Sequence, residues 1–145
     1  MENTQSEIKD KKIKLDFKES KYATGRRKTS IAKVWLKKGS GKIYVNGKLF
    51  TDYFANDTHK MQITRPFELI NQKTEYDVKC SVKGGGPTGQ AGAMVHGISK
   101  ALVLFDQGLK STLKTEKLTT RDSRAVERKK PGRRKARRSF QFSKR

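Results

Sequence analysis

Residues 84–91, GGGPTGQA, have the G-x4-G spacing of a nucleotide-binding phosphate loop, between a predicted strand and a predicted helix. In such a loop the second glycine precedes Lys and then Ser or Thr, which contact the terminal phosphates and magnesium, but here Gln90 and Ala91 follow. Backbone N–H groups at a helix N-terminus still favour an anion. The segment predicts a nucleic-acid phosphate contact at Gly84, Gly85 and Gly86, with a ligand-free tight turn and a soluble nucleotide site as alternatives.

A second candidate site is the sequence TGRRKT at residues 24–29. It combines a glycine and flanking hydroxyls with three consecutive cations, Arg26, Arg27 and Lys28. Phosphate contacts in protein–nucleic acid complexes come from these side chains and from backbone N–H groups. The cluster predicts a phosphate clamp, with an ordinary solvated face as the alternative.

The C-terminal part of the chain is dominated by arginine and lysine. Residues 120–128, TRDSRAVER, mix arginine with single acids and hydroxyls, which is typical of a segment of fixed shape; Arg121 and Arg124 are its candidate phosphate ligands. Residues 128–145 carry ten Lys or Arg and no Asp or Glu. Phe140 and Phe142 near the terminus could stack on exposed bases or sugars, or pack against another protein.

Catalytic and metal-binding patterns are weak in comparison. His59 and His96 have no Cys or carboxylate pair at ligand spacing, and we interpret them as surface or packing residues. Cys80 alternates in phase with apolar neighbours and is interpreted as a small core residue. These observations predict a protein that is not an enzyme and that needs no cofactor or metal.

The charge of the chain points to a polyanionic partner. The formal net charge is +21, and residues 1–20 contribute nothing to it because their five lysines match five acids. Nucleic acid is the first candidate and an anionic membrane surface the second. No apolar run approaches the roughly 18 residues of a spanning helix, so we expect no membrane binding. Residues 1–20 lack the features of a signal or transit peptide. We therefore expect them to be a polar, disordered leader of a cytosolic protein.

Hydrophobic periodicity predicts the elements that position these clusters. SIAKVWLK and KIYVN indicate a hairpin joined by a turn at residues 38–41, and residues 75–83 indicate a further strand. Residues 48–72 indicate short helices, with Pro66 in a first turn. The best helix follows the glycines and stops at Gly108, and a shorter one covers residues 109–118. We predict an α+β domain over residues 21–120, a single β-sheet with helices on one face, followed by an extended basic tail over residues 121–145.

Four motifs, in order, resemble the bacterial-type family of small-subunit ribosomal protein nine. They are TGRRKTSIAKVWL, VNG followed by YF at residues 53–54, VKGGGPTGQAGAMVHGISKAL, and TRDSRAVERKKPGRRKARRSFQFSKR. The resemblance runs from about Tyr22 to the C-terminus and leaves the leader outside it. A free nucleic-acid-binding protein with the same charge is the alternative.

The resemblance implies a fold, a place and partners. The fold would be that of the second domain of small-subunit ribosomal protein five, with a left-handed βαβ crossover. The protein would bind the 3′ major domain of 16S-type ribosomal RNA beside neighbouring proteins of the subunit head, in cytoplasmic ribosomes. Its tail would reach the anticodon stem-loop of the transfer RNA in the peptidyl site through Ser143, Lys144 and Arg145.

The predicted ribosomal RNA contacts extend from the first strand to the tail. They are Arg26, Arg27, Lys28, Lys33, Lys83, Gly84, Gly85, Gly86, Arg121, Arg124, Arg128, Lys129, Lys130, Arg133, Arg134, Lys135, Arg137 and Arg138.

Overall fold

The computed structural model describes residues 17–144 of the chain, so the leader up to residue 16 and the contact predicted for Arg145 lie outside the described residues. Nine elements follow one another within that range. In chain order they are β1 (Lys21–Arg27), β2 (Ser30–Lys38), β3 (Ile43–Val45), β4 (Lys48–Leu49), α1 (Phe50–Tyr53), α2 (Asp57–Leu69), β5 (Tyr76–Lys83), α3 (Pro87–Phe105) and α4 (Leu109–Thr115).

The strands form one mixed five-stranded sheet in the order β1-β2-β5-β3-β4. β3 and β5 run parallel and are connected through β4, α1 and α2, whereas the other neighbours are antiparallel. α3 packs across β1 and β2, and α2 packs beside α3. The predicted α+β architecture is confirmed, and it is consistent with the fold of the second domain of ribosomal protein five. Within residues 17–144, no helix has the length and apolar character needed to cross a membrane.

The core forms where the alternation of β2 and β5 meets the apolar stripe of α3. Val34, Leu36 and Val78 are fully buried on one face of the sheet, and Ile98 and Leu102 cover them from the helix. Burying one such side chain contributes roughly 1.5–3 kcal/mol. Cys80 belongs to this core as predicted, and its burial raises the pKa of its thiol.

The predicted hairpin between residues 30–37 and 42–46 is wrong. β2 pairs with β1 and β5, and β5 separates it from β3. Asp77 directs the chain away from a hairpin, because its Oδ1 accepts hydrogen bonds from the backbone N–H groups of Ser40 and Lys42, each at 2.9 Å. Asn46 and Gly47, both with φ above +50°, instead form the turn of a hairpin between β3 and β4.

The segment TGRRKT lies in strand β1 and in the two-residue turn to β2, and its Gly25 packs against α3. Two further local predictions need correction. Pro66 is buried inside α2, whose first turn is capped by the side chain of Asn56 instead. Gly108 does not end α3, which stops at Phe105, but precedes α4 as its N-cap.

β1 is an edge strand, and two of its outward backbone groups are covered by side chains of α3. The N–H of Arg26 donates to Nδ1 of His96 at 3.2 Å. Nζ of Lys100 donates to the carbonyl oxygen of Thr24 at 3.1 Å. The edge of β1 is therefore hydrogen-bonded to the helix that packs on it.

Candidate nucleic-acid interface

A cavity of about 430 Å³ lies where the end of β1, α2, α3 and the segment after α4 meet. We call it the cationic cavity, because six basic side chains line it together with one acid, Asp122. The basic residues are Arg26, Arg27, Arg65, Lys117, Arg121 and Arg124. Four of them were predicted separately from two distant motifs, and the fold brings these motifs together.

Two glycines allow this convergence. A Cβ on Gly25 would overlap the carbonyl oxygen of Ala93 and the nitrogen of Gly97, so only glycine lets β1 lie this close to α3. A Cβ on Gly92 would overlap Cδ of Arg27, so the Arg27 side chain crosses α3 at that residue. The strand and the helix thus place Arg27 in the cavity through backbone contact.

Arg27 has unused hydrogen-bonding capacity. Its Nη2 lies 3.5 Å from Oδ2 of Asp122, and both side chains are about one-third exposed, 32% and 31%. Its Nε is buried and has no hydrogen-bond partner among residues 17–144. A partly exposed guanidinium that lines a cavity is suited to an anion with several acceptor oxygens.

Asp122 orients the arginines and remains ionised. Its carboxylate accepts from Nε and Nη2 of Arg124 at 3.0 and 2.8 Å, and from the Arg124 backbone N–H at 3.1 Å. These hydrogen bonds, followed by the charges of Arg124 and Arg27, hold the pKa of Asp122 well below its usual range. One carboxylate therefore holds Arg124 by hydrogen bonds and Arg27 by a longer ion pair, and five more positive than negative side chains still line the cavity.

His96 connects β1 to the segment after α4. Its Nδ1 accepts a hydrogen bond from the backbone N–H of Arg26, and its ring lies beside the backbone of Thr119. Burial, followed by the charge of Lys100, lowers the pKa of His96, and nearby Arg121 acts in the same direction. A neutral His96 thus serves as a packing residue that holds two walls of the cavity together.

The glycine turn, residues 84–86, packs against the β1–β2 turn. Gly84 and Gly85 have φ of +75° and +63°, which favours glycine, and a Cβ on Gly85 would overlap Oγ of Ser30. Oγ of Ser30 donates to the carbonyl oxygen of Gly84 at 3.0 Å, and Nε2 of Gln90 donates to the same oxygen at 3.2 Å. This packing accounts for these two glycines without a ligand, so the phosphate contact there stays a prediction.

Further predicted contacts cluster at this end of the sheet. A Cβ on Gly84 would come within 2.7 Å of the carbonyl oxygen of Thr29, which places the glycine turn directly beside the β1–β2 turn that carries Lys28. Lys28, Lys83 and Gly86 are exposed there. Lys33 lies farther along, on the sheet face opposite the helices.

The described tail, residues 121–144, is exposed along most of its length and contains no helix or strand. It turns at Pro131 and Gly132, and Arg134 N–H donates to the carbonyl oxygen of Arg138 at 2.8 Å. Within residues 17–144, the side-chain hydrogen bonds of Arg128–Arg138 are made to other tail residues. Ten predicted contacts lie in this exposed segment, namely Arg128, Lys129, Lys130, Arg133, Arg134, Lys135, Arg137, Arg138, Ser143 and Lys144.

Sequence reasoning missed Arg65 and Lys117. Arg65 belongs to α2 and is held toward the cavity by Oε2 of Glu116, 2.7 Å from its Nη2. Lys117 follows α4 with φ of +57°. No motif flanks either residue, and only the packing of α2 and α4 brings them to the arginines of β1.

A model of the family described as ribosomal protein S9/S16 matches residues 25–145. The match covers most of the chain and includes every residue of the cationic cavity, the glycine turn and the tail.

Proposed function

Because the chain belongs to the ribosomal protein S9/S16 family, a family of structural proteins of the small ribosomal subunit, we propose that it binds 16S-type ribosomal RNA through its cationic cavity and its tail. The RNA segment is the 3′ major domain, in the head of the subunit. The tail also contacts the anticodon stem-loop of peptidyl-site transfer RNA. Neighbouring head proteins complete the set of partners, in ribosomes of the cytoplasm.

The observation that carries this proposal is the convergence of six cations on one cavity. They come from β1, α2 and the segment after α4, and one acid, Asp122, lines the cavity with them. Like charges held this close repel one another, and a polyanion relieves that repulsion when it binds. Arginine forks give bidentate hydrogen bonds to phosphate, and the Arg27 side chain, 32% exposed, can offer such a fork at the cavity.

The glycine turn and Lys28 extend the proposed contact around the end of the sheet. Both face solvent, and α3 begins at Pro87 with no side chain capping its N-terminus. Uncapped N–H groups at a helix N-terminus attract phosphate. An RNA strand that leaves the cavity past Arg27 meets Lys28, Lys83 and then this turn.

The tail carries charge away from the body. Eighteen extended residues span roughly 60 Å at about 3.3 Å per residue, less what the turn at Pro131 removes. Because its cations repel one another, such a segment takes up a defined conformation only when RNA phosphates neutralise its charge. The body thereby anchors the terminal residues Ser143, Lys144 and Arg145 within reach of the transfer RNA, and the contribution to translation is positional and electrostatic.

Charge-removal variants test the cavity. We expect Arg27→Gln and Arg121→Gln each to weaken binding of the full chain to a transcript of the 3′ major domain. Each variant should also reduce the slope of log affinity against log salt by about one for every phosphate that the arginine neutralises. Lys110→Gln is the matched control, because Lys110 is exposed on α4 outside the cavity. Equally weakened binding in all three variants would show that overall charge, and not the cavity, binds the RNA.

A further inference from the structure

The sheet face opposite the helices carries a row of aromatic and basic side chains. Tyr22, Trp35 and Lys79 are register partners on β1, β2 and β5, and we call them the aromatic row. The ring centroids of Tyr22 and Trp35 lie 5.3 Å apart at 44°, and Nζ of Lys79 lies 5.7 Å from the centroid of Trp35. The core does not need these rings, because the core residues of these strands point to the other face.

Cations surround the aromatic row. Lys33 and Lys37 flank Trp35 on the same face of β2, and both are exposed. Lys83 lies opposite Ile31, whose side chain is 40% exposed. The acid on this face of β5, Asp77, faces Lys37 and is occupied by hydrogen bonds from the loop after β2. The face therefore offers flat rings bordered by positive charge, which complements a ligand that is flat and anionic.

This face is continuous with the cationic cavity. Arg26 lines the cavity and is also the register partner of Ile31, which lies next to Lys83 across the sheet. An RNA backbone that follows the cations out of the cavity reaches the aromatic row across adjacent strands, which lie about 4.8 Å apart.

We infer that the aromatic row stacks an unpaired base of the bound RNA, with Trp35 as the platform and Lys33 and Lys83 on the flanking phosphates. Every base has a flat face, so aromatic stacking beside a cationic groove holds single strands with little sequence preference. The inference rests on the proposed function, since ribosomal RNA supplies the base. It adds a contact to the base itself, in a single-stranded segment.

Trp35 reports on its own contact, because it is the single tryptophan of the chain. The full chain is titrated with oligo(U) of about a dozen nucleotides, and with an abasic ribose-phosphate oligomer of equal length and charge. We expect oligo(U) to quench the fluorescence of Trp35 and the abasic oligomer to bind without quenching. Tyr22→Ser weakens the affinity for oligo(U) roughly tenfold and leaves the affinity for the abasic oligomer unchanged. Met61→Ala is the control, since Met61 is an exposed apolar side chain on α2, away from this face.

The outcomes separate this inference from the proposed function. Equal affinity for both oligomers, without quenching, overturns the stacking contact and leaves phosphate binding at the cavity intact. Binding of neither oligomer overturns the proposed function. In a further outcome, Trp35→Ala leaves binding to ribosomal RNA normal and yet prevents incorporation into the small subunit. That result would mean that this face binds a neighbouring protein, and it would also overturn the inference. Trp35→Phe, which keeps a ring, retains the affinity for oligo(U) if stacking is the contact.

Discussion

Gly92→Ala is expected to separate RNA binding from folding. Gly92 lies inside α3, where replacing glycine by alanine stabilises a helix by roughly 0.5–1 kcal/mol. The new Cβ would overlap Cδ of Arg27 and lie 3.2 and 3.3 Å from its Nη1 and Nε. Since these atoms belong to a flexible side chain, Arg27 moves and the backbone does not.

The stability of the Gly92→Ala chain should therefore change little. The displaced Arg27 no longer pairs with Asp122, and a partly exposed ion pair of this kind adds little to stability. Breaking the pair opposes the increase in helix propensity, so we expect the free energy of unfolding to stay within about 1 kcal/mol of the parent. Urea unfolding followed by circular dichroism measures this difference.

RNA affinity should fall in the same variant. A hydrogen bond to a charged partner contributes about 1.5–3 kcal/mol, so displacing Arg27 weakens binding to the 3′ major domain transcript about 10- to 100-fold. Filter binding at fixed salt measures the affinity. In the Arg27→Gln background, Gly92→Ala should weaken binding no further, because both changes remove the same interaction. Full affinity in Gly92→Ala, or additive effects in the double variant, would refute the role given to Arg27.

Other perturbations address the fold, the histidine and the tail. Gly25→Ala should lower the free energy of unfolding in urea by at least about 1–3 kcal/mol, because its Cβ meets the backbone of α3; an unchanged midpoint would contradict the packing described. The pKa of His96 is lower in the folded protein than in the unfolded chain, so the neutral ring stabilises the fold fully at about pH 8. This stabilisation is lost as the pH falls through the folded-state pKa. His96→Gln should therefore make the free energy of unfolding, measured in urea, depend less on pH. Removing residues 143–145 should weaken binding of transfer RNA to the peptidyl site of purified small subunits and leave subunit assembly intact; unchanged filter binding would remove the tail from that site.

The buried residues of β2, β5 and α3 were predictable from the spacing of apolar residues in the sequence alone. Alternation identified β2 and β5, and the three-to-four spacing identified α3, because each contributes a single face to the core. Strand partners were not predictable in this way. The alternation in residues 42–46 predicts which side chains point inward, but not which strand lies beside them. The pairing of β3 with β5 depends on a crossover that includes two helices and on the hydrogen bonds of Asp77.

In the candidate site, too, the local clusters were predictable and their arrangement in space was not. Arg26, Arg27, Arg121 and Arg124 stood out as dense local clusters, since charge density is visible in any short window. Their convergence was not visible, because it depends on how Gly25 and Gly92 let β1 and Arg27 approach α3. Arg65 and Lys117 have no local signal and could be found only from the packed structure.

The hydrogen bonds along β1 have a consequence for the protein before it meets its RNA. The free backbone groups of an edge strand can pair with a strand of another copy of the protein, and such pairing often initiates aggregation. A strand arriving at β1 would have to displace His96 from Arg26 and Lys100 from Thr24, and would bring a second strongly positive chain against the first. The same helix that positions the cavity thus protects newly made copies from one another while they wait for assembly.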